Sequence, residues 1–301
     1  PGVVPTKSKE SLPDGSKMDP ERANLHMKKS GYPLPILHEY TLSRSTISAV
    51  VNRLAPMSVD AIADLPGVPR KRASSMVPAA KALEYLLEHS GCEDVLFSVS
   101  GIREGYLYST LDDVTRQQDA LIASALELAS FSGRGDHYAR EVFEWLNPIF
   151  VHDDNQRNRL RRTACLLGEV AWPIDPNFRG EWAFNRVLQS SLKGANHKER
   201  IMLALALYHR YHSKWKHESG VLSLLDEHER LWAKAVGTAL NLAFQLSGGL
   251  AGNLNHASLR LQDDQVELLL EPVAQPLRNE TVEKRLEGLG STFKALSNFF
   301  I

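Results

Sequence analysis

The sequence predicts a mainly α protein in which a short α/β section precedes a longer all-helical section. Beyond Leu111, one segment after another carries apolar residues at helical spacing. Before it, the apolar run Val95–Val99 ends in a glycine turn, which is typical of a strand. Near the end, two stretches that alternate apolar and polar residues flank Asp263 and Asp264 and predict a small β-hairpin.

Each section has its own elements, taken in chain order. Apolar spacing predicts helices over Ser43–Leu54 and Pro69–His89, and Ser58 can cap a short helix between them that Pro66 and Gly67 end. The predicted elements of the second section are helices over Asp113–Phe131, His137–Phe150, Gln156–Val170, Trp182–Leu192, Lys198–Lys214, Leu225–Leu246 and Thr281–Phe299, with strands over Ala257–Leu261 and Gln265–Leu270. The glycine-rich stretch 247–252 follows a helix and is expected to be a connection.

Composition limits the functional classes. With 301 residues, of which 43% are hydrophobic and 24% charged, the chain has enough length for two domains with sizeable cores. The formal net charge of −1 argues against a protein that mainly binds nucleic acid or an anionic membrane. Any binding of a polyanion must therefore depend on a local cluster of cations.

The termini and cysteines suggest a soluble protein of a reducing compartment. Cys92 and Cys165 are too few for a disulfide framework and lack zinc-site spacing, so we expect two reduced thiols and a cytoplasmic location. No apolar run approaches the length of a membrane span. Residues 1–17 contain almost nothing to bury, so we expect a flexible tail or artificially added residues outside the fold, with domains over 18–112 and 113–301.

The stretch from Ser98 to Tyr108 carries the most specific chemistry. Gly101 would permit a tight turn that a side chain would obstruct, Arg103 offers a planar guanidinium, and the following helix offers backbone N–H groups. These features suit a phosphate. Taken alone, they are also typical of a structural helix start, with Glu104 in the first turn and Arg103 in an ion pair.

Three further motifs precede this turn in the sequence and help to interpret it. They are Tyr32-Pro33-Leu34, His38-Glu39-Tyr40 and Lys71-Arg72-Ala73, in that order before Ser100-Gly101-Ile102-Arg103-Glu104-Gly105. Together they resemble the exopolyphosphatase and guanosine pentaphosphate phosphatase family over roughly residues 18–270. That family has Tyr-Pro-Leu, His-Gly-Tyr and Lys-Arg-Ala segments, the Ser-Gly-x-Arg-Glu-Gly turn, and a helical domain akin to the HD phosphohydrolases.

The resemblance implies a partial actin-like (ribonuclease H-like) lobe over 18–112 and an HD-like helical domain over 113–301. It implies that Gly101, Arg103, Glu104, Lys71 and Arg72 bind the phosphate chain. For the two cations at 71 and 72, a solvated helix start is the alternative. The family's glycine-rich phosphate loops are absent from this sequence, so we expect a missing N-terminal catalytic lobe and no catalytic residue here. Mg²⁺ is expected for the complete enzyme and none for this chain.

The HD-like domain departs from the HD metal-ligand pattern. His137 matches the single histidine, but the His-Asp pair falls on Gly168 and Glu169, and the distant aspartate falls on Asn241. Three of the four ligands are thus missing, which argues against metal binding and against an active HD hydrolase.

Two other groups of residues invite functional hypotheses. His209, His212 and His217 suggest either a surface metal clip or, as we favour, the wet end of a helix. The arginines at 157, 159, 161 and 162 suggest either a polyphosphate track or partner contact, or a solvated face. The five tryptophans at 145, 172, 182, 215 and 232 are expected to pack in the core.

The sequence therefore predicts the C-terminal portion of a phosphoanhydride hydrolase that releases terminal phosphate from inorganic polyphosphate or guanosine pentaphosphate. The expected role of this chain is substrate binding and assembly, with a homodimer and the N-terminal lobe as partners. The alternative is a non-enzymatic, degenerate homologue that senses a polyanion or nucleotide or only supports assembly.

Overall fold

The computed structural model describes residues 2–5, 27, 30–66, 68–130, 136–215 and 220–299. They divide into two compact units, unit 1 within residues 1–117 and unit 2 within residues 118–301. Helices dominate both units, which confirms the mainly α prediction. Within the described ranges, no helix combines the length and the apolar character needed to cross a membrane.

Unit 1 contains one small sheet and five helices among its described residues. The strands are β1 (Gly2–Pro5), β2 (Tyr40–Ser43) and β3 (Asp94–Ser98), and the helices are α1 (Arg44–Leu54), α2 (Val59–Ala63), α3 (Ala73–Ser90), α4 (Ile102–Ser109) and α5 (Asp113–Arg116). Ser58 caps α2 as predicted, because its hydroxyl accepts a hydrogen bond from the N–H of Ala61 at 3.2 Å.

The sheet of unit 1 is antiparallel, in the order β1-β3-β2. Tyr40 pairs with Phe97 and Leu42 with Val95, and these four side chains are buried with residues of α1 and α3 in one core cluster. A second cluster joins the end of α1 to α2 and the start of α3. The assignment of this unit to an actin-like lobe stays a prediction.

Residues 1–17 need a correction, since we expected them outside the fold. Gly2–Pro5 form an edge strand against β3, with Val3 opposite Phe97. Backbone hydrogen bonds hold such a strand, so the scarcity of apolar side chains did not exclude it. Residues 6–17 lie outside the described residues.

Unit 2 is built from helices and one hairpin. Its described elements are α6 (Ala120–Ser130), α7 (Asp136–Leu146), α8 (Asn155–Leu167), α9 (Arg179–Gln189), α10 (His197–Tyr211), α11 (Glu227–Ser247), β4 (Ala257–Gln262), β5 (Gln265–Leu270) and α12 (Glu280–Ser297). The predicted hairpin is confirmed by antiparallel pairing from Ala257 opposite Leu270 to Gln262 opposite Gln265.

The prediction of one continuous helix over Asp113–Phe131 is wrong. The first piece ends at Arg116, and a new helix begins at Ala120. The Asp119 carboxylate accepts hydrogen bonds from the N–H groups of Leu121 at 2.8 Å and Ile122 at 3.2 Å. A side chain that caps a helix start in this way interrupts the apolar periodicity without any glycine or proline.

Helix α10 lies at the centre of unit 2. Every residue from Glu199 to Arg210 is buried, a pattern typical of a helix surrounded on all sides. Against it, α11 approaches very closely at Gly237, where an added Cβ would overlap the Ala206 carbonyl oxygen and lie 2.6 Å from the His209 Cβ. This helix pair therefore requires glycine at position 237.

The glycine-rich stretch 247–252 is a connection, as predicted. Gly248 ends α11 in the left-handed conformation at φ 64°, and Gly252 has φ 90°. The Glu141 carboxylate on α7 accepts hydrogen bonds from the N–H groups of Gly252 at 2.5 Å and Leu254 at 3.0 Å. An acidic side chain of the protein itself thus occupies this loop.

Candidate functional site

The turn after β3 begins the candidate phosphate site. Ser98 accepts a hydrogen bond from the N–H of Ser100 at 3.0 Å, and the Glu104 carboxylate accepts one from the N–H of Gly101 at 2.7 Å. This second bond is the main reason that the pKa of Glu104 is lowered from its ordinary value. Glu104 therefore caps α4, which is the structural role that its position in a first helical turn suggested.

Gly101 does not have the conformational role that we expected. Its backbone is extended, with φ −111° and ψ −161°, a conformation open to any residue. An added Cβ would make only an ordinary contact of 3.5 Å with the Glu104 carboxylate. A side chain at this position would not obstruct the turn, so the tight-turn argument for glycine is wrong.

Arg103 follows on the exposed surface of α4. Among the described residues, no hydrogen bond or ion pair involves its guanidinium, so the ion pair expected for a purely structural arginine is not formed. Helix α4 as a whole has no buried residue. Several large apolar side chains are exposed on and after it, among them Tyr106 at 69%, Leu107 at 64% and Val114 at 75%.

Lys71 and Arg72 lie in a short 3-10 turn, Arg70–Arg72, just before α3. Both side chains are exposed, while Ala73 after them is buried in the second core cluster of unit 1. Their neighbour Arg70 contacts Asp64 at 3.4 Å. No hydrogen bond within the described residues joins Lys71 to the turn of Arg103, so these two predicted parts of the site are not linked by direct contact.

His38, Glu39 and Tyr40 lie next to the end of β3 and the turn after it, although we predicted none of them as a site residue. The N–H of Glu39 donates to the Phe97 carbonyl at 2.8 Å, and the His38 ring nitrogen Nδ1 lies 3.5 Å from the N–H of Val99. Edge contact between the Tyr32 and Tyr40 rings, with centroids 4.9 Å apart, brings the Tyr-Pro-Leu motif to the same strand. The order of motifs along the chain was the available signal for this arrangement.

Only some of the residues at the positions of the HD metal ligands lie close together. Gly168 packs against α11, where an added Cβ would lie 3.9 Å from the Leu240 side chain, next to Asn241. His137 is exposed, whereas Tyr138 and Ala139 after it are buried. The described residues contain no group of three histidine, cysteine or acidic side chains that could hold a metal ion.

An ion pair occupies the centre of this region. Arg210 donates a hydrogen bond to the Glu169 carboxylate at 2.8 Å, and both side chains are buried. The Tyr138 hydroxyl lies 2.8 Å from the Ser247 hydroxyl, and burial raises the pKa of Tyr138 to about 12. The Arg210 guanidinium also stacks over the Phe244 ring at 4.3 Å. Glu169 is thus paired with a cation of the protein.

His209 and His212, at the C-terminal end of α10, pack against other groups of the protein. His209 is buried, its Nδ1 lies 3.0 Å from the His212 carbonyl oxygen, and burial lowers its pKa to about 4. The His212 ring packs on Gly180, and its Nε2 lies 3.5 Å from Glu181. His217 lies outside the described residues. The expectation of a solvated histidine was wrong for His209, because α10 is buried from Glu199 to Arg210.

The arginines of α8 are mostly structural, which corrects the expectation of a solvated face. Arg161 is 1% exposed and pairs with Asp153 at 3.0 Å, while Arg159 binds both carboxylate oxygens of Asp119 at 2.5 and 2.9 Å. Arg157 contacts the His228 ring. Arg162 is exposed and is the arginine of this stretch that fits the prediction.

Two tryptophans are fully in the core. Trp232 donates to Asp153 at 2.7 Å and Trp145 to the Ala257 carbonyl at 2.8 Å, whereas Trp172 is 39% exposed.

Cys92 and Cys165 are both buried and free, in different units, and burial raises the pKa of Cys165 to about 12.

Comparison with known families identifies unit 2. Residues 121–297 match the family described as exopolyphosphatase, C-terminal, a range that covers more than half of the chain. A comparison with curated proteins finds no match. The matched range lies within unit 2, so the role of Arg103 in unit 1 stays a prediction. The chain therefore belongs to the family of exopolyphosphatase C-terminal domains, as its sequence motifs suggested.

Proposed function

We propose that this chain is the C-terminal portion of an enzyme that releases terminal phosphate from inorganic polyphosphate or guanosine pentaphosphate. In this proposal, the chain contributes substrate binding and assembly, and the catalytic phosphate loops belong to an N-terminal lobe outside it. Mg²⁺ would supply charge neutralisation at those loops. The family match of unit 2 supports the enzyme class.

The binding role is supported mainly by the surroundings of the Arg103 side chain. Its guanidinium is exposed and has no protein partner within the described residues, while the acid beside it, Glu104, is held by the Gly101 N–H. A guanidinium can donate two parallel hydrogen bonds to two oxygens of one phosphoryl group. We therefore assign Arg103 to a phosphate of the bound chain, with Lys71 and Arg72 as further cations of unit 1.

The assembly role is supported by the apolar surface of α4 and the residues after it. Tyr106 and Leu107 on α4 and Val114 on α5 expose most of their area, and several large exposed apolar side chains close together in the sequence favour an interaction surface. We propose the N-terminal lobe as its partner, because the substrate bound by Arg103 must also reach the catalytic loops. A homodimer and a cytoplasmic location, the latter from the two free thiols, complete the proposal.

Titration of medium-length polyphosphate tests the binding role. Isothermal titration calorimetry at moderate salt would compare the wild-type chain with Arg103→Ala and with the matched control Arg162→Ala, an exposed arginine of unit 2. We expect Arg103→Ala to lose about 1.5–3 kcal/mol of binding free energy, the usual value for a hydrogen bond to a charged group. The Arg162 variant should bind like the wild type.

Two outcomes would contradict the proposal. If wild type and Arg103→Ala bind polyphosphate equally, Arg103 has no binding role. If the purified chain with Mg²⁺ releases orthophosphate at enzymatic rates, its assigned non-catalytic role is wrong. The full gene sequence separates the enzyme from a non-enzymatic polyanion sensor: upstream glycine-rich loops support the enzyme, and a start at Met18 supports the sensor.

A further inference from the structure

A cavity of about 280 Å³ lies within unit 2, between the end of α12 and the residues that precede α8. Six of its ten lining side chains are apolar, and they come from four parts of the fold. They are Ile149 and Phe150 before α8, Trp232 on α11, Leu261 on β4, and Phe293 and Leu296 on α12. An engineered apolar cavity of about 150 Å³ binds benzene, so this larger cavity has room for one aromatic ring with a short chain.

Three aromatic side chains form part of the cavity wall. Phe150, Trp232 and Phe293 are buried, and the Phe150 and Phe293 rings are in edge contact, with centroids 5.1 Å apart. The indole N–H of Trp232 is already donated to Asp153 at 2.7 Å. Small-molecule pockets typically combine such apolar and aromatic walls with a few polar groups that fix the orientation of the ligand. The wall therefore favours a ligand whose body is apolar.

The charged groups that line the cavity are acidic. They are Asp153 and Asp264, and among the described residues no lysine or arginine lines it. Asp153 is balanced by Arg161, whose Nε donates to its carboxylate at 3.0 Å. Asp264 is exposed at the mouth, and its carboxylate has no hydrogen bond or ion pair within the part of the chain that the structure describes. Two carboxylates and one guanidinium leave one net negative charge.

We propose that this cavity binds a small aromatic amine. The ring of the ligand lies against Phe150, Trp232 and Phe293, where it is removed from water. Its ammonium group lies at the mouth and pairs with Asp264, and a cation is also favoured near aromatic faces. The negative charge of the cavity disfavours a phosphate-bearing ligand. The site thus differs in chemistry from the phosphate site proposed at Arg103, and it does not rest on that proposal.

Calorimetric titration of the full chain with phenethylamine tests the class of ligand. At neutral pH this amine is protonated, because alkylamines have a pKa near 10. Phenethyl alcohol is its neutral analogue, and hydrocinnamate is an anionic one. We expect the amine to bind roughly fivefold more tightly than the alcohol, and the carboxylate to bind most weakly. Absence of amine binding, or equal binding of amine and alcohol, would overturn the proposal.

Asp264→Asn tests the carboxylate at the mouth. It should weaken binding of the amine roughly fivefold, the upper range for one exposed ion pair, and leave the alcohol unaffected. Position 264 has φ 61°, a conformation that asparagine adopts readily, so the hairpin turn should be preserved. Asp263→Asn is the matched control, since Asp263 has φ 50° in the same turn and is not among the lining residues. Equal loss in both variants would overturn the assignment to Asp264.

Ser297→Leu tests the location, because Ser297 lines the cavity near the end of α12. Ser291 on the same helix is exposed and does not line it. Both hydroxyls donate to carbonyl oxygens of α12, so leucine removes a similar hydrogen bond at either position. Ser297→Leu should weaken binding of amine and alcohol roughly tenfold or more, as one extra methylene group commonly does in an apolar pocket. Ser291→Leu should bind like the wild type.

Thermal unfolding shows whether both leucine variants are folded. All five tryptophans lie in unit 2, so tryptophan fluorescence follows the unfolding of that unit alone. Unchanged amine binding by folded Ser297→Leu would place the amine elsewhere and overturn the proposal. If Ser297→Leu does not fold, the comparison of Asp264→Asn with Asp263→Asn decides the question.

Discussion

Glu39 adopts a left-handed backbone conformation, with φ 68°, at the position where the family pattern has glycine. The segment cannot easily avoid this conformation, because the N–H of Glu39 is bonded to the Phe97 carbonyl and Tyr40 begins β2 immediately afterwards. A residue with a Cβ is strained there by about 1–2 kcal/mol relative to ordinary helical or extended backbone. The positive φ at position 39 therefore explains why the family pattern has glycine there.

Glu39→Gly should stabilise unit 1 by about 1 kcal/mol, since glycine adopts positive φ without strain. Hydrogen exchange measured by mass spectrometry on peptides of β3 would slow roughly fivefold for that gain. Glu39→Ala is the matched control, because it removes the same side chain and keeps the strain. Equal effects of the two variants would show that the side chain, and not the backbone, determines the change.

His209 is a second residue whose burial has a measurable consequence. Burial lowers its pKa to about 4 from 6.5 in the unfolded chain; the hydrogen bond with the His212 backbone opposes this lowering, and the charge of Lys234 adds to it. Between those two values the unfolded state binds a proton that the folded state does not bind. The neutral histidine therefore contributes stability above pH 6.5 that is lost as the pH falls toward 4.

Unit 2 should consequently lose about 3 kcal/mol of unfolding free energy through His209 between pH 7 and pH 4. Urea unfolding followed by tryptophan fluorescence at several pH values measures this loss. In His209→Asn, whose amide can still donate to the His212 carbonyl, the slope against pH should be smaller over this range. An unchanged slope would assign the pH dependence to other groups.

At the scale of elements, α8 shows how one basic helix divides its arginines between core and solvent. Arg161 bonds Asp153 at 3.0 Å and Asn147 at 3.0 Å, and its guanidinium lies 4.4 Å from the Phe143 ring. Burial raises the pKa of Asp153, while Arg161 and Trp232 oppose that rise. Arg162, the next residue, is exposed.

Arg161→Met should destabilise unit 2 by about 3–5 kcal/mol, the usual cost of leaving one member of a buried ion pair without its partner. Arg162→Met should stay within about 0.5 kcal/mol of the wild type, as is usual for exposed positions. Urea unfolding followed by tryptophan fluorescence compares the two. A similar, small effect in both variants would mean that the Asp153 pair contributes nothing net.

Periodicity predicted the elements that are long. The helices from α7 to α12 and the hairpin follow from apolar spacing, and their observed ends differ from the predicted ones by a few residues. Strands β1 and β2 have four residues each, too few for a period to be recognised. Their pairing with β3 depends on contacts between residues far apart in the sequence. A local sequence pattern gives no information about such contacts.

At the scale of the whole molecule, the two units differ in what the sequence could predict about their candidate sites. Arg103 was found because its motif is local, and the fold leaves it exposed. Arg210 and Glu169 are 41 positions apart, and nothing around either residue in the sequence indicates that they form a buried ion pair. Arg161 was wrongly assigned to solvent for the same reason, since its partners come from other elements.

The burial of α10 from Glu199 to Arg210 determines how unit 2 fluctuates. A helix with neighbours on all sides cannot open to solvent while those neighbours remain in place, so its backbone amides become accessible only when the unit opens as a whole. Helix α4 in unit 1, with no buried residue, has no such restraint and can open locally. The chain thus combines a slow, cooperative domain with a surface helix free to adjust to whatever binds it.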